Sequence, residues 1–273
     1  MHKDIDEMEF VVFDTETTGL DPQAGDRIVE IACLKFRAGE KLGSLQTLVN
    51  PGREISPAAF NVNRITPQML AGAPAIGEVM PGLLDFISGS CLCSYNAAFD
   101  LGFLDKELKL LGLPALEDNV VVDVLKMARR LLPGEPRYAL WAIACRLGIQ
   151  ESQQHRALAD VELTWQVFSR LKEMLKGKGV GDFADFSRLF AVKAKFLEDI
   201  RQQHLAQIEE AIGLGARLKI KYLSSSGAQV SQRDVQPKEV RRVNNRDYLV
   251  GYCFLRRDER TFSLDGILHL EIV

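Results

Sequence analysis

Two carboxylates stand two residues apart at the end of a short apolar run. Phe10-Val11-Val12-Phe13 leads directly into Asp14, and Glu16 follows. Because side chains alternate along a β-strand, this spacing places both carboxylates on one face. Like charges a few ångströms apart repel, so the pair favours a bound cation, and oxygen ligands suit Mg²⁺ or Mn²⁺. An exposed strand terminus is the alternative interpretation. The glycine of Thr17-Thr18-Gly19 predicts a tight turn after the pair.

Two further stretches carry polar residues that could join this pair. In 95–100, Tyr-Asn-Ala-Ala-Phe-Asp, Asn96 is placed to cap a helix and Asp100 lies in the first turns of that helix. In 155–160, His-Arg-Ala-Leu-Ala-Asp, His155 precedes a predicted helix that contains Asp160. Each stretch alone has an ordinary explanation, because early helical acids compensate the helix dipole and a lone histidine is more often a surface residue. These residues would indicate a catalytic or metal-binding site only if the fold brought them close to Asp14 and Glu16.

The elements that must position these residues follow from periodicity. Apolar runs predict strands at 10–13, 27–36, 42–49, 91–95 and 120–123, and helical spacing predicts helices at 76–87, 97–111, 138–147 and 158–175. Early consecutive strands followed by strand–helix alternation indicate an α/β domain with a mixed sheet. Three glycines in 176–181 then predict a boundary.

Beyond that boundary, 183–212 has helical spacing, and strands are predicted at 217–222, 248–255 and 261–264. We therefore expect an α/β domain over 1–176, a hinge and linker helix over 177–202, and a small β module over 203–273.

Composition narrows the class of protein. The 273 residues are 47% hydrophobic and 26% charged, as in an ordinary globular protein. The acidic N-terminus carries no apolar export signal, and five cysteines without a Cys-x-x-Cys pair predict reduced, buried thiols in a cytoplasmic protein. Between 216 and 260 there are 11 Lys/Arg against 5 Asp/Glu, whereas the rest has 23 against 32. This asymmetry favours a polyanion contact near the C-terminus, with a mixed-charge surface as the alternative.

Taken together, the three stretches resemble the DEDD superfamily of exonucleases, in its histidine-bearing branch. The epsilon proofreading subunit of bacterial DNA polymerase III, exonuclease I, ribonuclease T and oligoribonuclease belong there. The resemblance spans roughly 9–175 and keeps the family's order of motifs. It implies a ribonuclease H-like mixed sheet flanked by helices. It also implies release of nucleoside 5′-monophosphates from the 3′ end of single-stranded nucleic acid, with DNA favoured over RNA.

The same resemblance implies roles for the site residues. Asp14 would bridge two divalent ions, Mg²⁺ or Mn²⁺, Glu16 and Asp160 would complete one ion site, and Asp100 would hold the other ion partly through water. Two such ions about 3.5–4 Å apart can stabilise the attacking and leaving oxygens of a phosphoryl displacement. His155 would deprotonate the attacking water.

Other positions match those that line the pocket for the 3′-terminal nucleotide in relatives: Thr15, Thr18, Leu20, Asn96 and Phe99. One departure is Asn63-Arg64-Ile65-Thr66, where many relatives have glycine in place of Arg64. This change could alter the approach of the substrate but not the metal site.

The residues from about 203 to 273 resemble a WYL domain, a small Sm-like β-barrel named for a Trp-Tyr-Leu string. Here Asp247 replaces the tryptophan before Tyr248 and Leu249. Arginines and aromatics of relatives are proposed to bind nucleic acid or nucleotides, and the matching positions are Arg233, Tyr248, Arg257 and Arg260. A structural or dimerising barrel is the alternative.

Two functions from different classes result. The first is a metal-dependent 3′→5′ exonuclease acting on single-stranded DNA or RNA ends, with a polymerase or repair complex as a potential partner. The second is a non-catalytic or ligand-regulated nucleic-acid-binding regulator that uses the WYL-like domain. The clustered carboxylates and His155 favour the enzyme, because a pure binder gains nothing from repelling charges. Neither a Gly-x-Gly-x-x-Gly string nor a P-loop string supports a nucleotide-cofactor enzyme.

Overall fold

A mixed six-stranded sheet organises the first part of the chain. The computed structural model describes residues 3–116, 119–150, 156–193, 196–224 and 229–273. The strands are β1 (Phe10–Thr17), β2 (Ile28–Arg37), β3 (Glu40–Leu48), β4 (Cys91–Ser94), β5 (Val121–Asp123) and β6 (Ala191–Lys193), in the order β3-β2-β1-β4-β5-β6. β1, β4 and β5 run parallel, whereas β2, β3 and β6 pair antiparallel with their neighbours. The predicted mixed α/β architecture is confirmed.

Helices cover both faces of this sheet. The described helices are α1 (Pro57–Asn63), α2 (Pro67–Leu70), α3 (Ile76–Ile87), α4 (Ala97–Leu110), α5 (Val124–Leu131), α6 (Leu140–Arg146), α7 (Ala157–Lys176), α8 (Phe183–Phe190) and α9 (Phe196–Leu214), the last of which belongs to the C-terminal module. The side chains of β1 are apolar on both faces of the sheet. Phe10 and Val12 pack with α5 to α8, while Val11 and Phe13 pack with α3 and α4. A strand that is apolar on both sides must be covered on both sides.

The prediction of one helix over 183–212 is wrong. Ala191–Lys193 leaves helical geometry after α8 and pairs as β6 with the otherwise open edge of β5. Backbone groups at a sheet edge gain a partner from this strand, so pairing outweighs the helical periodicity of the segment. The preceding glycine stretch is also packed, since Val180 is buried and the amide of Ile5 donates to Gly181 O at 2.9 Å.

A second, antiparallel sheet forms the C-terminal module. Its strands are β7 (Leu218–Leu223), β8 (Val230–Val243), β9 (Arg246–Cys253), β10 (Asp258–Ser263) and β11 (Ile267–Ile272), in the order β10-β9-β8-β7-β11. β10 and β11 are its two edges and do not pair with each other among the described strands. The predicted closed barrel is therefore not confirmed, and the module is an open sheet. One face is packed against Ile208 and Ala211 of α9.

The two modules share packing at their junction. Leu223 of β7 and Leu268 of β11 belong to the same buried cluster as the residues of α5 and α8. Arg130 of α5 donates to Leu223 O at 3.0 Å and to Asp265 O at 3.2 Å. No helix within the described ranges is long and apolar enough to cross a membrane. All five cysteines are free thiols, four of them buried, but Cys145 is exposed, contrary to the prediction for that residue.

Candidate active site

The carboxylates of Asp14, Glu16 and Asp160 converge at one point. Asp14 and Glu16 project from the same face of β1, and Asp160 projects from the first turn of α7. One carboxylate oxygen from each residue lies within 4.8 Å of the others. The strand spacing thus predicts the position of the first pair correctly, and α7 packs across β1 to add the third group. Three anionic oxygens at this separation form a ligand set for a hard divalent cation.

The three carboxylates repel one another in the absence of a cation. Burial, followed by the charges of Asp100 and Glu16, raises the pKa of Asp14 well above its usual range. Burial, followed by the charge of Asp160, raises the pKa of Glu16 to about 8. Both shifts have the sign that like charges in a low-dielectric site produce. A positive ion at the triplet would remove this repulsion.

Asp100 lies beside the triplet but is held by neutral donors. Its Oδ1 accepts from the backbone amide of Thr15 at 3.0 Å and from Thr15 Oγ1 at 2.7 Å, and its Oδ2 accepts from Ser94 Oγ at 2.5 Å. Burial outweighs these hydrogen bonds and raises the pKa of Asp100 to about 6. Asp100 is therefore fixed in place by β1 and β4, and its charge acts on Asp14.

A partly buried ion pair, which the sequence did not predict, lies next to the triplet. Glu30 of β2 accepts from Arg156 Nε at 3.0 Å and Arg156 Nη2 at 2.8 Å, and also from the amide of Ala157 at 3.3 Å. Burial acts to raise the pKa of Glu30, but hydrogen bonds from Arg156 and Gln46 outweigh it and lower that pKa. This pair fixes the start of α7 and hence Asp160. The feature of the sequence that could have indicated this ion pair is the single acid, Glu30, within the otherwise apolar run 28–34.

The triplet opens into a cavity of about 620 Å³, within the usual range for small-molecule sites. Its lining comprises Asp14, Thr15, Glu16, Thr17, Gly19, Leu20, Asp21, Asp26, Ser56, Ala58, Ala59, Val62, Asn63, Tyr95, Asn96, Phe99, Asp100 and Asp160. This lining includes six carboxylates and, within the described chain, neither lysine nor arginine. An anionic ligand in this cavity would therefore depend on a cation supplied from outside.

Four of the five predicted pocket residues line this cavity. Thr15, Leu20, Asn96 and Phe99 are among them, and Leu20 is 83% exposed at the rim. Asn96 does not cap α4 through its side chain, contrary to the helix-capping prediction. Its backbone takes a left-handed conformation (φ 70°), and its amide donates to Asp123 Oδ1 at 3.2 Å.

Thr18 is the predicted pocket residue that does not line the cavity. It is fully buried, its Oγ1 donates to Asp26 Oδ1 at 3.0 Å, and it accepts from the amide of Arg27 at 3.1 Å. The predicted turn is present, since a Cβ on Gly19 would lie 2.2 Å from Asp26 Oδ2. Thr18 thus holds the turn that presents its neighbours Gly19 and Leu20 to the cavity.

Arg64 ends α1, whose residues form one wall of the cavity. Its backbone is left-handed, with φ 58° and ψ 21°, a conformation that favours glycine. This geometry accounts for the glycine that many relatives carry at the position. The guanidinium of Arg64 lies 5.9 Å from the centre of the Phe60 ring, within the range of a cation–π contact.

His155 falls outside the described residues, as do 151–154. Its described neighbour Arg156 stands at the start of α7 and is anchored to Glu30, as above.

The predicted residues of the C-terminal module do not form one surface. Strand register places Arg233 and Arg260 on the face of the sheet that also carries Cys253, while Tyr248 projects from the other face. Arg233 is half-buried and donates from Nε to Ser231 Oγ at 2.9 Å, whereas Arg257 and Arg260 are exposed.

Asp247, which stands where the WYL string has tryptophan, is buried and forms an ion pair with Arg201 of α9 at 2.5 Å. This ion pair ties the β module to α9 at that position.

Comparison with known proteins agrees with this geometry. Residues 11–168 match the RNase T family model, described as exonuclease, and residues 203–272 match the WYL domain. The DNA polymerase III subunit epsilon-like protein of Rhodobacter capsulatus is 41% identical over 183 residues, which cover 66% of this chain and 26% of that protein. The PolC-type DNA polymerase III of Thermotoga maritima is 38% identical over 181 residues, 66% of this chain and 13% of that protein.

The chain therefore matches only 26% and 13% of the length of these two relatives. Among solved structures, the nuclease domain of 3′hExo, a DEDDh family member bound to rAMP, has a TM-score of 0.55 at 17% identity, covering 63% of this chain and 94% of that chain. This likeness shows the ribonuclease H-like exonuclease fold. With a family model that covers more than half of its length, the chain belongs to the RNase T exonuclease family and carries a C-terminal WYL domain.

Proposed function

We propose that this protein is a divalent-metal-dependent 3′→5′ exonuclease that releases nucleoside 5′-monophosphates from single-stranded nucleic acid, with DNA favoured over RNA. The observation that carries the proposal is the convergence of Asp14, Glu16 and Asp160 within 4.8 Å at the base of a nucleotide-sized cavity. Membership of the exonuclease family supports the reaction class.

The donor set fits Mg²⁺ or Mn²⁺, because it consists of carboxylate oxygens whose mutual repulsion raises the pKa of Asp14 and Glu16. Asp14, Glu16 and Asp160 would hold one ion, and Asp14 with Asp100 would hold a second. When bound, these ions supply Lewis-acid stabilisation of the attacking and leaving oxygens. Ser94 and Thr15 orient Asp100 for this task through the hydrogen bonds described above.

His155 is proposed as the general base that takes a proton from the attacking water. A histidine with the ordinary pKa of about 6.5 is largely neutral at physiological pH and can accept that proton. The Glu30–Arg156 pair would act as a positioning device, because it anchors the residue that follows His155 in the chain.

The apolar part of the cavity would bind the terminal nucleotide. Phe99 packs against Phe103 with the rings tilted by 52° and their centres 5.1 Å apart, and exposed Leu20 lies at the rim. Contacts of this kind to a base are tolerant of its identity, which suits an enzyme that removes successive nucleotides.

The WYL domain is proposed to contact the strand beyond the active site through its exposed arginines, Arg257 and Arg260. A DNA polymerase or a repair complex is the proposed partner, and the names of the relatives favour the polymerase.

The test is a degradation ladder on single-stranded DNA, duplex DNA and short RNA, each labelled at the 5′ end, with Mg²⁺ or Mn²⁺. Progressive shortening from the 3′ end, fastest on single-stranded DNA, is expected. Asp14→Asn serves as the matched inactive control because it removes a charge while keeping the side-chain shape. Internal cleavage, removal from the 5′ end, or activity unaffected by EDTA would refute the proposal.

A further inference from the structure

A second cavity lies where the WYL domain meets the exonuclease domain. Its volume is about 210 Å³, and it is bounded by α5, α8, α9 and the short turn between β10 and β11. Lys126, Arg188, Arg201 and His204 face it, together with apolar side chains such as Ile200 and Leu264. It shares no lining residue with the active-site cavity.

The cations of this cavity are incompletely compensated. Lys126 is half-buried and donates only to the carbonyl of Ala191 at 3.3 Å, and it forms no ion pair with a described carboxylate. Arg188 forms an ion pair with Asp185 at 3.5 Å and donates from Nη1 to Leu268 O at 2.5 Å, but its Nε is buried without a hydrogen-bond acceptor among the described residues. Burial followed by the charge of Arg188 lowers the pKa of His204 to about 4, which keeps that ring neutral. A partly buried ammonium without an ion-pair partner is costly, so an anion beside Lys126 would be stabilising.

Neither of the two carboxylates in the lining, Glu198 and Asp265, forms an ion pair with Lys126. Glu198 pairs with Arg201 at 3.5 Å, and Arg201 also pairs with Asp247. Asp265 is the remaining carboxylate; its charge favours the ammonium of Lys126, but it lies beyond ion-pair distance. The lining therefore carries three cationic side chains against two carboxylates, together with apolar side chains.

We propose that this junction cavity binds a small phosphomonoester, no larger than a mononucleotide, which bridges the exonuclease and WYL domains. The phosphate would accept a hydrogen bond from Lys126 Nζ and lie near the guanidinium of Arg188, and a sugar or base would contact the apolar side chains of Ile200 and Leu264. A volume of about 210 Å³ lies below the usual 300–1,000 Å³ of larger ligand sites, which excludes an oligonucleotide. The inference does not depend on the proposed nuclease function.

The experiment is calorimetric titration of the full-length chain in EDTA, in an Asp14→Ala background so that the active site cannot hold a metal-bound phosphate. The probes are 5′-AMP, ribose 5-phosphate, inorganic phosphate and adenosine. Both esters should bind more tightly than inorganic phosphate because they add the apolar contact, and adenosine should not bind. Lys126→Met should weaken ester binding by about 10-fold or more, the usual effect of losing a charged hydrogen bond.

Two further variants keep the result interpretable. Ile200→Trp fills the cavity without removing a cation and should also abolish binding, which covers the case in which Lys126→Met misfolds. Lys109→Met removes an exposed charge from α4, which contributes no residue to the cavity, and should bind as the parent does. Absence of ester binding, equal binding of esters and inorganic phosphate, or unchanged binding by both cavity variants would overturn the proposal.

Discussion

Glu16 of β1 lies directly across the strand pair from Glu30 of β2, yet of the two only Glu30 forms an ion pair with a cation among the described residues. Arg156 satisfies Glu30 with two hydrogen bonds, whereas Glu16 faces Asp160 and Asp14 in the active-site cavity. The two neighbours consequently respond in opposite ways: the pKa of Glu30 is lowered and that of Glu16 is raised to about 8. Glu30 therefore stabilises the fold through its ion pair, whereas Glu16 is available to bind a cation.

The stability of the metal-free protein should fall as pH rises from about 6.5 to 8. In this window folded Glu16 still holds a proton, while in the unfolded chain its pKa is 4.5 and the proton is already lost. The folded state therefore binds more protons, and the free energy of unfolding decreases with pH. Below this window, His204 acts in the other direction, because its folded pKa of about 4 lies below its ordinary value of 6.5.

Thermal unfolding in EDTA at several pH values measures this slope. Saturating Mg²⁺ or Mn²⁺ should abolish the slope, because cation binding displaces the proton. Glu16→Gln should also flatten it in EDTA. A midpoint temperature that is constant or rises between pH 6.5 and 8 would contradict the raised pKa.

Asp14→Ala and Asp100→Ala should both abolish hydrolysis but change stability in opposite directions. Removal of Asp14 relieves repulsion and should raise the unfolding midpoint of the metal-free protein at pH 8. Removal of Asp100 leaves Ser94 Oγ and two donors of Thr15 without their acceptor, at a cost of about 1–3 kcal/mol. Urea unfolding in EDTA distinguishes the two, and equal destabilisation would contradict the hydrogen-bond assignment. Asp100→Asn, which keeps one acceptor oxygen, is the matched control.

His155→Ala should lower the rate by about 10²–10⁴ while substrate binding changes little. Because the base must be neutral, the wild-type rate should rise with pH and level off above a pKa of about 6.5. Single-turnover hydrolysis of a short oligonucleotide between pH 5.5 and 8.5 measures both effects. An unchanged pH profile in the variant would assign the base to another residue.

Arg64→Gly should be neutral or stabilise the protein by up to about 1 kcal/mol. Glycine adopts the left-handed conformation of Arg64 without the strain of about 1–2 kcal/mol that a Cβ introduces. The loss of the contact with Phe60 and the greater freedom of unfolded glycine offset part of this gain. Arg64→Ala loses the same contact but retains the strain, so it should be less stable than Arg64→Gly in urea. The reverse order would show that the conformation of Arg64 is not strained.

Replacing Arg257 and Arg260 with serine should flatten the salt dependence of binding to a long single strand. Each neutralised phosphate contributes about −0.7 to the slope of log K against log salt, so the change should reach about 1.4. Arg233 is left in place because it is half-buried and bonded to Ser231. Lys41 and Lys109, which are exposed on the other domain, provide a control pair. The measurement uses catalytically inactive protein, and identical slopes would mean that these arginines do not contact the strand.

Local sequence patterns predicted most of the helices and the position of the first carboxylate pair. The remaining features depend on contacts between residues that are distant in the sequence. The Asp14–Glu16 spacing could be interpreted from strand geometry alone, and most helices follow from apolar periodicity. The Glu30–Arg156 pair joins residues 126 positions apart, so no local signal gives its geometry. β6 formed against its helical periodicity because β5 offered an open edge, and β8 was missed because its side chains are mostly polar and exposed.

Leu223 and Leu268 of the WYL domain complete the buried cluster formed by α5 and α8 of the exonuclease domain. Cutting the chain before β7 would therefore uncover apolar surface on the part that remains. If the exonuclease region were transferred to another protein, new residues would have to cover the exposed apolar surface of α5 and α8. Without them the protein would tend to aggregate. In this chain the two domains therefore form one unit of stability and not two interchangeable parts.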